Sequence, residues 1–259
     1  MGITRDAYYK HEKRLKEKKG FEVKVLKGVD KIRQEQPRTG TKKLHIMMKE
    51  TVKIGRDKLN ELLKANGMLV ERRKKYTRTT YSHHGYAVAP NLVKDLVVTR
   101  PEHVWGGDIT YIPLKLGYAY LFLVTDKYSR KIVGYKLGDS LSHEHAIDAL
   151  RRAVGNKVMP RELIFHSDRG CQYCCHEYIK ELKRCGILSS MTDENHCYQN
   201  SVAERVNGIL KDEYYLDVGF DSFEEAEKAI KRAIWVYNNK RPHRSLNMEV
   251  PAMVHAMAA

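Results

Sequence analysis

Residues 104–138 read VWGGDITYIPLKLGYAYLFLVTDKYSRKIVGYKLG, and this stretch decides the fold class. Three runs rich in β-branched and aromatic residues, VWGGDITYIPL, GYAYLFLVTDKY and RKIVGYKLG, are separated by Leu116-Gly117 and by Tyr128-Ser129. Runs of this composition bounded by turn residues are strands, and connections this short predict an antiparallel three-strand meander. Downstream the pattern alternates. SHEHAIDALRRAVGN (142–156) is helical, RELIFHSD (161–168) is a buried strand, and CQYCCHEYIKELKRCG (171–186) is helical again. ILSSMT (187–192) is a short strand and SVAERVNGILKDEYY (201–215) a helix. The order βββαβαβα predicts an α/β domain, a mixed five-stranded sheet with flanking helices. A terminal helix, SFEEAEKAIKRAIWVYNN (222–239), and a basic loop, KRPHRSLNMEVP (240–251), follow.

Three acids stand out on that frame. Asp108 lies mid-run in the first strand, with Ile109 and Tyr111 on the opposite face by period-two alternation. Asp168 follows Leu163-Ile164-Phe165 at the C-terminal end of a strand, where open α/β sheets place ligands, and Gly170 permits a tight exit. Glu204 sits in a helical pattern, with 35 residues between it and Asp168. Carboxylates on separate, neighbouring elements suit a site for two divalent cations. Two ions roughly 3.5–4 Å apart need several hard oxygen ligands to clamp both oxygens of an in-line displacement. Asn200, Glu204 and Lys211 share one helical face at i, i+4 and i+11, bringing an acid to the metals and a cation to a phosphate beside them, with Asn200 and Lys211 as DNA contacts.

The strings WGGDITYI, HSDRGCQY and NSVAERVNGILKDEY, followed by YNNKRPHRSLNMEVP, resemble the second-frame proteins of two-reading-frame bacterial insertion sequences. These are DDE transposases of the retroviral-integrase superfamily. The resemblance covers roughly residues 20–255. It implies a ribonuclease H-like catalytic core in which Asp108, Asp168 and Glu204 are the catalytic triad and the ligands of Mg²⁺ or Mn²⁺, two ions in all. The activity implied is DNA cleavage followed by strand transfer. The implied partners are double-stranded DNA (terminal inverted repeats and target), other copies of the chain on that DNA, and an upstream-frame protein or fusion. No leucine-zipper heptad run is present in this chain. Cys171, Cys174 and Cys175 depart from the family, which more often has Ser or Thr there. Two other readings stand beside this one: a nuclease of the same fold that cuts without joining, and a catalytically silent DNA-binding regulator. Loss of a triad acid would favour the regulator, and all three acids are present.

The net charge of +15 is unevenly spread. Residues 1–80 hold 24 Lys/Arg against 10 Asp/Glu, whereas residues 81–259 hold 23 against 22. A basic N-terminal third ahead of a near-neutral body predicts a polyanion-binding module attached to an enzyme core. The first 75 residues read as short helices. Leu44, Met47 and Met48 fall at i, i+3, i+4, as do Leu59, Leu62 and Leu63, and a VKIG turn joins the two patterns. That is a helix-turn-helix pattern. Its second helix, about Gly55 to Asn66, places Arg56, Lys58 and Asn60 toward the major groove. Arg72, Arg73, Lys74 and Lys75 open a basic linker able to lie along phosphates. The domain organisation is then residues 1–75 as a helical DNA-binding region, 76–96 as linker, 97–220 as catalytic core, and 221–259 as a C-terminal helix and basic tail. In that tail Arg241, with His243 and Arg244, is either a DNA-backbone contact or part of a solvated segment.

Several further positions carry expectations. Asp126, on the second strand, is either a fourth metal carboxylate or a turn residue paired with Arg130 or Lys127. His166, Ser167 and Gln172 either surround the site or satisfy local backbone groups. Asn207 reads as structural, and Trp105 as packing beneath the first strand. No segment approaches the roughly 18 apolar residues of a membrane span, and the N-terminus lacks a signal-peptide apolar region. Five cysteines, three of them crowded into 171–175, favour reduced thiols in a cytosolic compartment, and the family resemblance implies a bacterial one, at the nucleoid when DNA is bound. Cys171-x-x-Cys174 has no second pair to complete a zinc knuckle.

Overall fold

A computed structural model describes residues 5–71, 86–156, 159–160, 162–193 and 197–257. The chain divides into two compact units, Met1–Arg73 and Lys74–Ala259. The basic linker residues Arg72, Arg73, Lys74 and Lys75 lie outside the described residues.

In the first unit, α1 spans Arg5–Arg33, α2 Thr41–Met47 and α3 Arg56–Ala65. The expectation of several short helices here is corrected, because α1 is one continuous helix of 29 residues. Its first half is rich in Lys and Glu, good helix formers, and pairs such as Lys10–Asp6 and Lys18–Glu22 at i,i+4 support it without any core. Only Val25 and Val29 of α1 are buried, against Leu44, Met48, Val52, Leu59 and Leu63. These contacts place the leucines of α2 and α3 in one small core and turn Arg56, Lys58 and Asn60 outward.

The second unit carries β1 (Val104–Pro113), β2 (Tyr118–Asp126), β3 (Ile132–Gly138), α4 (His143–Val154) and β4 (Ile164–Ser167). Next come α5 (Cys171–Cys174), α6 (His176–Arg184), β5 (Leu188–Met191), α7 (Ser201–Tyr214), α8 (Phe223–Asn239) and α9 (Pro251–Met257). The sheet order is β3-β2-β1-β4-β5. β1, β2 and β3 are antiparallel, while β4 runs parallel to β1 and β5 parallel to β4. This is the mixed five-stranded, ribonuclease H-like arrangement that the element order predicts.

Both faces of the sheet are covered, which explains the unbroken apolar run of β2. Leu121 and Leu123 face a core shared with Leu210 of α7 and Ile230 of α8. Phe122 and Val124, on the other face, pack with Trp105, Leu150 of α4 and Leu182 of α6. Gly134 sets the distance between β3 and α4: a Cβ there would lie 2.3 Å from the Ala149 carbonyl oxygen and 2.7 Å from the Ala153 Cβ.

Three sequence readings change here. The helix expected over 171–186 breaks at Cys175, whose extended backbone (φ −66°, ψ 154°) ends α5 and caps α6. Residues within the expected linker pack on the β5 edge: the Leu92 amide donates to Ser190 Oγ at 2.9 Å and Asn91 Nδ2 to Gln199 Oε1 at 2.9 Å. The segment after residue 220 belongs to the core unit. Ser222 caps α8 by accepting from the Glu225 amide, and Asn238 holds both the N–H and the C=O of Ile132 on β3. The expected tail beyond it forms α9, fixed by a Ser129 Oγ to His255 Nδ1 hydrogen bond of 3.0 Å.

Because Gly134 has no room for a methyl group, Gly134→Ala is expected to destabilise the second unit by about 1–3 kcal/mol. A lower urea midpoint with an unchanged m-value checks this.

Candidate active site

β1 holds Asp108 by its register, opposite Leu123 and therefore on the face that receives α7. Gly106 and Gly107 precede it for a steric reason. A Cβ on Gly107 would meet Phe165 of β4 at 2.4 Å, and one on Gly106 would meet the Ala203 Cβ of α7 at 3.3 Å. Asp168 follows the last residue of β4, the strand beside β1. Its Oδ1 accepts from the Gly170 amide at 3.1 Å, which fixes the loop exit. Glu204 lies in the first turn of α7 and is exposed.

The three acids feel one another. Burial raises the Asp108 carboxyl to about 7; the charges of Asp168 and Glu204 add to the rise, while the Asn207 hydrogen bond opposes it. Burial and Asp168 likewise raise Glu204. Lys211 is half-buried, and burial lowers its ammonium pKa against the opposing pull of Asp217 and Asp108. The structure therefore brings Asp108, Asp168, Glu204 and Lys211 to one place. A set of like-charged hard oxygen donors, one held partly protonated chiefly by burial and then by its neighbours' charge, fits a divalent cation, which would reverse the repulsion.

Asn207 is the residue whose role the sequence reading missed. Its Nδ2 donates to Asp108 Oδ2 at 2.6 Å, while Asp108 Oδ1 accepts from the Ile109 amide at 3.0 Å. The signal was its position three residues after Glu204, on the same helical face. Asn200, expected to touch DNA, is instead 1% exposed and donates to the Gly107 carbonyl at 2.8 Å. It precedes α7 as its N-cap and ties that end of the helix to β1. Arg241 is corrected as well. Its guanidinium forms a two-pronged pair with Glu213 at 2.8 Å on each side and is 3% exposed, so no face remains for a phosphate.

Asp126 resolves as structural. It is fully buried, pairs with Trp105 across the hairpin and so points to the sheet face opposite Asp108. It accepts from the amides of Glu102, Tyr128 and Ser129 and from Ser129 Oγ, rather than pairing with Lys127 or Arg130. Lys127 is 8% exposed, with Nζ donating to the Gln199 carbonyl at 3.3 Å, and burial together with Arg130 lowers its pKa to about 8. His166 is buried and bonds Ser190 Oγ at 2.9 Å; burial and Lys127 hold its pKa near 3, so it is neutral. Ser167 donates to the Asp168 carbonyl and Gln172 to the Leu141 carbonyl, both local tasks. Trp105 is fully buried.

The Integrase core domain family model matches residues 98–197, and a second model of the same description matches 185–251. The chain is 33% identical, over its whole length and 98% of the other, to the uncharacterized 31 kDa protein of insertion element IS600 from Shigella sonnei. This chain belongs to the integrase-core family. Within it, the chain is a DDE transposase of the retroviral-integrase superfamily. It is 35% identical to the transposase InsF for insertion sequence IS3A of Escherichia coli K12, over 58% of this chain and 52% of InsF. A chain of the simian T-cell lymphotropic virus intasome, solved with the regulatory subunit B56 gamma, shares the fold. It matches 87% of this chain and 73% of its own length, with 18% identity and a TM-score of 0.52.

Asp108 holds its proton more tightly when folded than when unfolded. Its ionisation therefore costs stability increasingly from about pH 4 to about pH 7, and the full cost applies above. Added Mg²⁺ or Mn²⁺ is expected to raise the melting temperature more near pH 8 than near pH 5, and Asp108→Asn to remove most of that difference. Melting curves in chelator and in metal check this.

Proposed function

We propose that this transposase cuts and joins double-stranded DNA at the ends of its insertion sequence by metal-dependent phosphodiester transesterification. The observation that carries the reading is the electrostatic coupling of Asp108 on the central strand β1, Asp168 just after the neighbouring β4, and Glu204 on α7. Asp108 and Asp168 are the principal metal ligands and Glu204 completes the set. Two Mg²⁺ or Mn²⁺ ions bound there would activate first water and then the liberated 3′-hydroxyl for in-line attack on a phosphodiester.

The protein's own groups set that chemistry up. Asn207 occupies one oxygen of Asp108 and so fixes which lone pairs face the site. Glu204 is the most exposed of the three acids and meets the incoming strand first. Lys211, whose ammonium feels the charges of Asp217 and Asp108, holds a phosphate oxygen next to the metals. In the helical unit, Arg56 and Lys58 contact the DNA backbone from the outer face of α3. Asn60 has a second task, accepting from Thr41 Oγ1 at 3.1 Å. Arg72, Arg73, Lys74 and Lys75 add positive charge in the sequence where that unit ends. The assembly is several copies of the chain on paired DNA ends, with an upstream-frame protein or fusion as a further partner, in the bacterial cytoplasm at the nucleoid. Among the described residues no helix is long and apolar enough to cross a membrane.

The test is cleavage and joining of labelled DNA bearing the inverted repeats that flank the gene, in Mg²⁺ or Mn²⁺. Glu204→Gln is expected to abolish both products while leaving DNA binding intact; cutting at near wild-type rate would remove Glu204 from the site. Asn207→Ala is expected to lower the rate roughly 10–100-fold, as loss of a group orienting a metal ligand does. Cut products without joined ones would make the protein a nuclease.

DNA affinity in Arg56→Ala/Lys58→Ala is expected to fall for all sequences alike. The log–log salt slope should shrink by up to about 2, one phosphate contact per residue. An unchanged slope places the interface elsewhere.

A further inference from the structure

Cys175 stands where the helix breaks between α5 and α6. Its thiol is 4% exposed and donates weakly to the Gln172 carbonyl at 3.4 Å. Glu177 lies in the first turn of α6 and is exposed. His143 begins α4, a separate element, yet its imidazole reaches this point. The donor atoms of His143, Cys175 and Glu177 all lie within 4.8 Å of one another.

We propose that His143, Cys175 and Glu177 form a binding site for one zinc ion, distinct from the carboxylate site. Zn²⁺ takes Cys sulfur at about 2.3 Å and His nitrogen or carboxylate oxygen at about 2.0–2.2 Å, in a tetrahedron. Those lengths put donors roughly 3.3–3.6 Å apart, so side-chain closure of about 1 Å completes the site. One nitrogen, one sulfur and one oxygen donor select zinc over magnesium, which refuses thiolate. On binding, the thiol gives its proton to solvent, its bond to Gln172 is released, and the thiolate lone pair forms the Zn–S bond. His143 is half-buried and Glu177 exposed, so the fourth position faces water.

The ligands do not come from the Cys171-x-x-Cys174 pair. They join the start of α4 to the start of α6, across the segment that also carries the Gln172 Nε2 to Leu141 carbonyl bond of 3.1 Å. Cys175 lies seven residues after Asp168. A zinc ion here fastens the loop that leaves the catalytic strand to the helix packed behind the sheet.

Cobalt titration of the full chain, in excess Mg²⁺ to fill the carboxylate site, tests this without reference to DNA chemistry. The expected result is one equivalent of Co²⁺, marked by a near-ultraviolet thiolate charge-transfer band that Zn²⁺ displaces. Cys175→Ser abolishes the band, and Cys171→Ser/Cys174→Ser keeps it. His143→Ala and Glu177→Gln weaken binding by at least about tenfold, no less than loss of an outer-shell partner costs. Absence of the band in the wild-type protein, or its survival in Cys175→Ser, overturns the site. Should Cys175→Ser fail to fold, His143→Ala at its half-exposed position decides: unchanged cobalt affinity there also overturns it.

Discussion

Two side-chain amides, one at the N-cap of α7 and one within the helix, reach across to β1, and the catalytic arrangement depends on them. Asn200 grips the Gly107 carbonyl and Asn207 grips the Asp108 carboxylate. Together they set the height and rotation at which α7 lies on the sheet, and with that the position of Glu204. The glycines before Asp108 serve the same approach, since side chains there would collide with Phe165 on one face and crowd Ala203 on the other. The motif around Asp108 is therefore as much about close packing as about chemistry.

The site is also a place where the fold stores repulsion. Each carboxylate is anchored by an element stabilised elsewhere: β1 and β4 by the two cores of the sheet, α7 by Val206, Ile209 and Leu210 beneath it. That anchoring keeps Asp108 beside two like charges in partial burial, at a cost expressed in its raised pKa. A flexible site would relax by moving the acids apart; this one is relieved by cations or protons. Pre-organised donors also lose little conformational entropy when metal and phosphate arrive.

Buried charge elsewhere is handled differently. Asp126 is wrapped by three backbone amides and a hydroxyl, and Arg241 is matched by both oxygens of Glu213. These groups are satisfied and hold the β2–β3 turn and the entry to the C-terminal segment. The contrast separates the working acids from the structural ones. Asp126 and Asp108 are both strand aspartates of the same hairpin, yet one is saturated with donors and the other is crowded by acids.

The order of elements in the α/β domain, the paired helical patterns at 44–48 and 59–63 and the three acids were legible in the sequence, because each rests on local period, turn chemistry or a short motif. Asp108 and Asp168 could be placed because strand alternation and strand ends fix where side chains point. Other features depend on which element lies across the gap, and no local pattern carries that. Asn200 and Arg241 looked like surface polar groups until α7 and its neighbours closed over them. Asn207 looked structural until β1 put a carboxylate 2.6 Å away. The break at Cys175 and the meeting of His143 with Cys175 and Glu177 likewise follow from how α4 and α6 pack. Sequence determined what each element is and which acids are available; tertiary structure alone decided which polar groups face one another, because burial and pairing are set by distant partners.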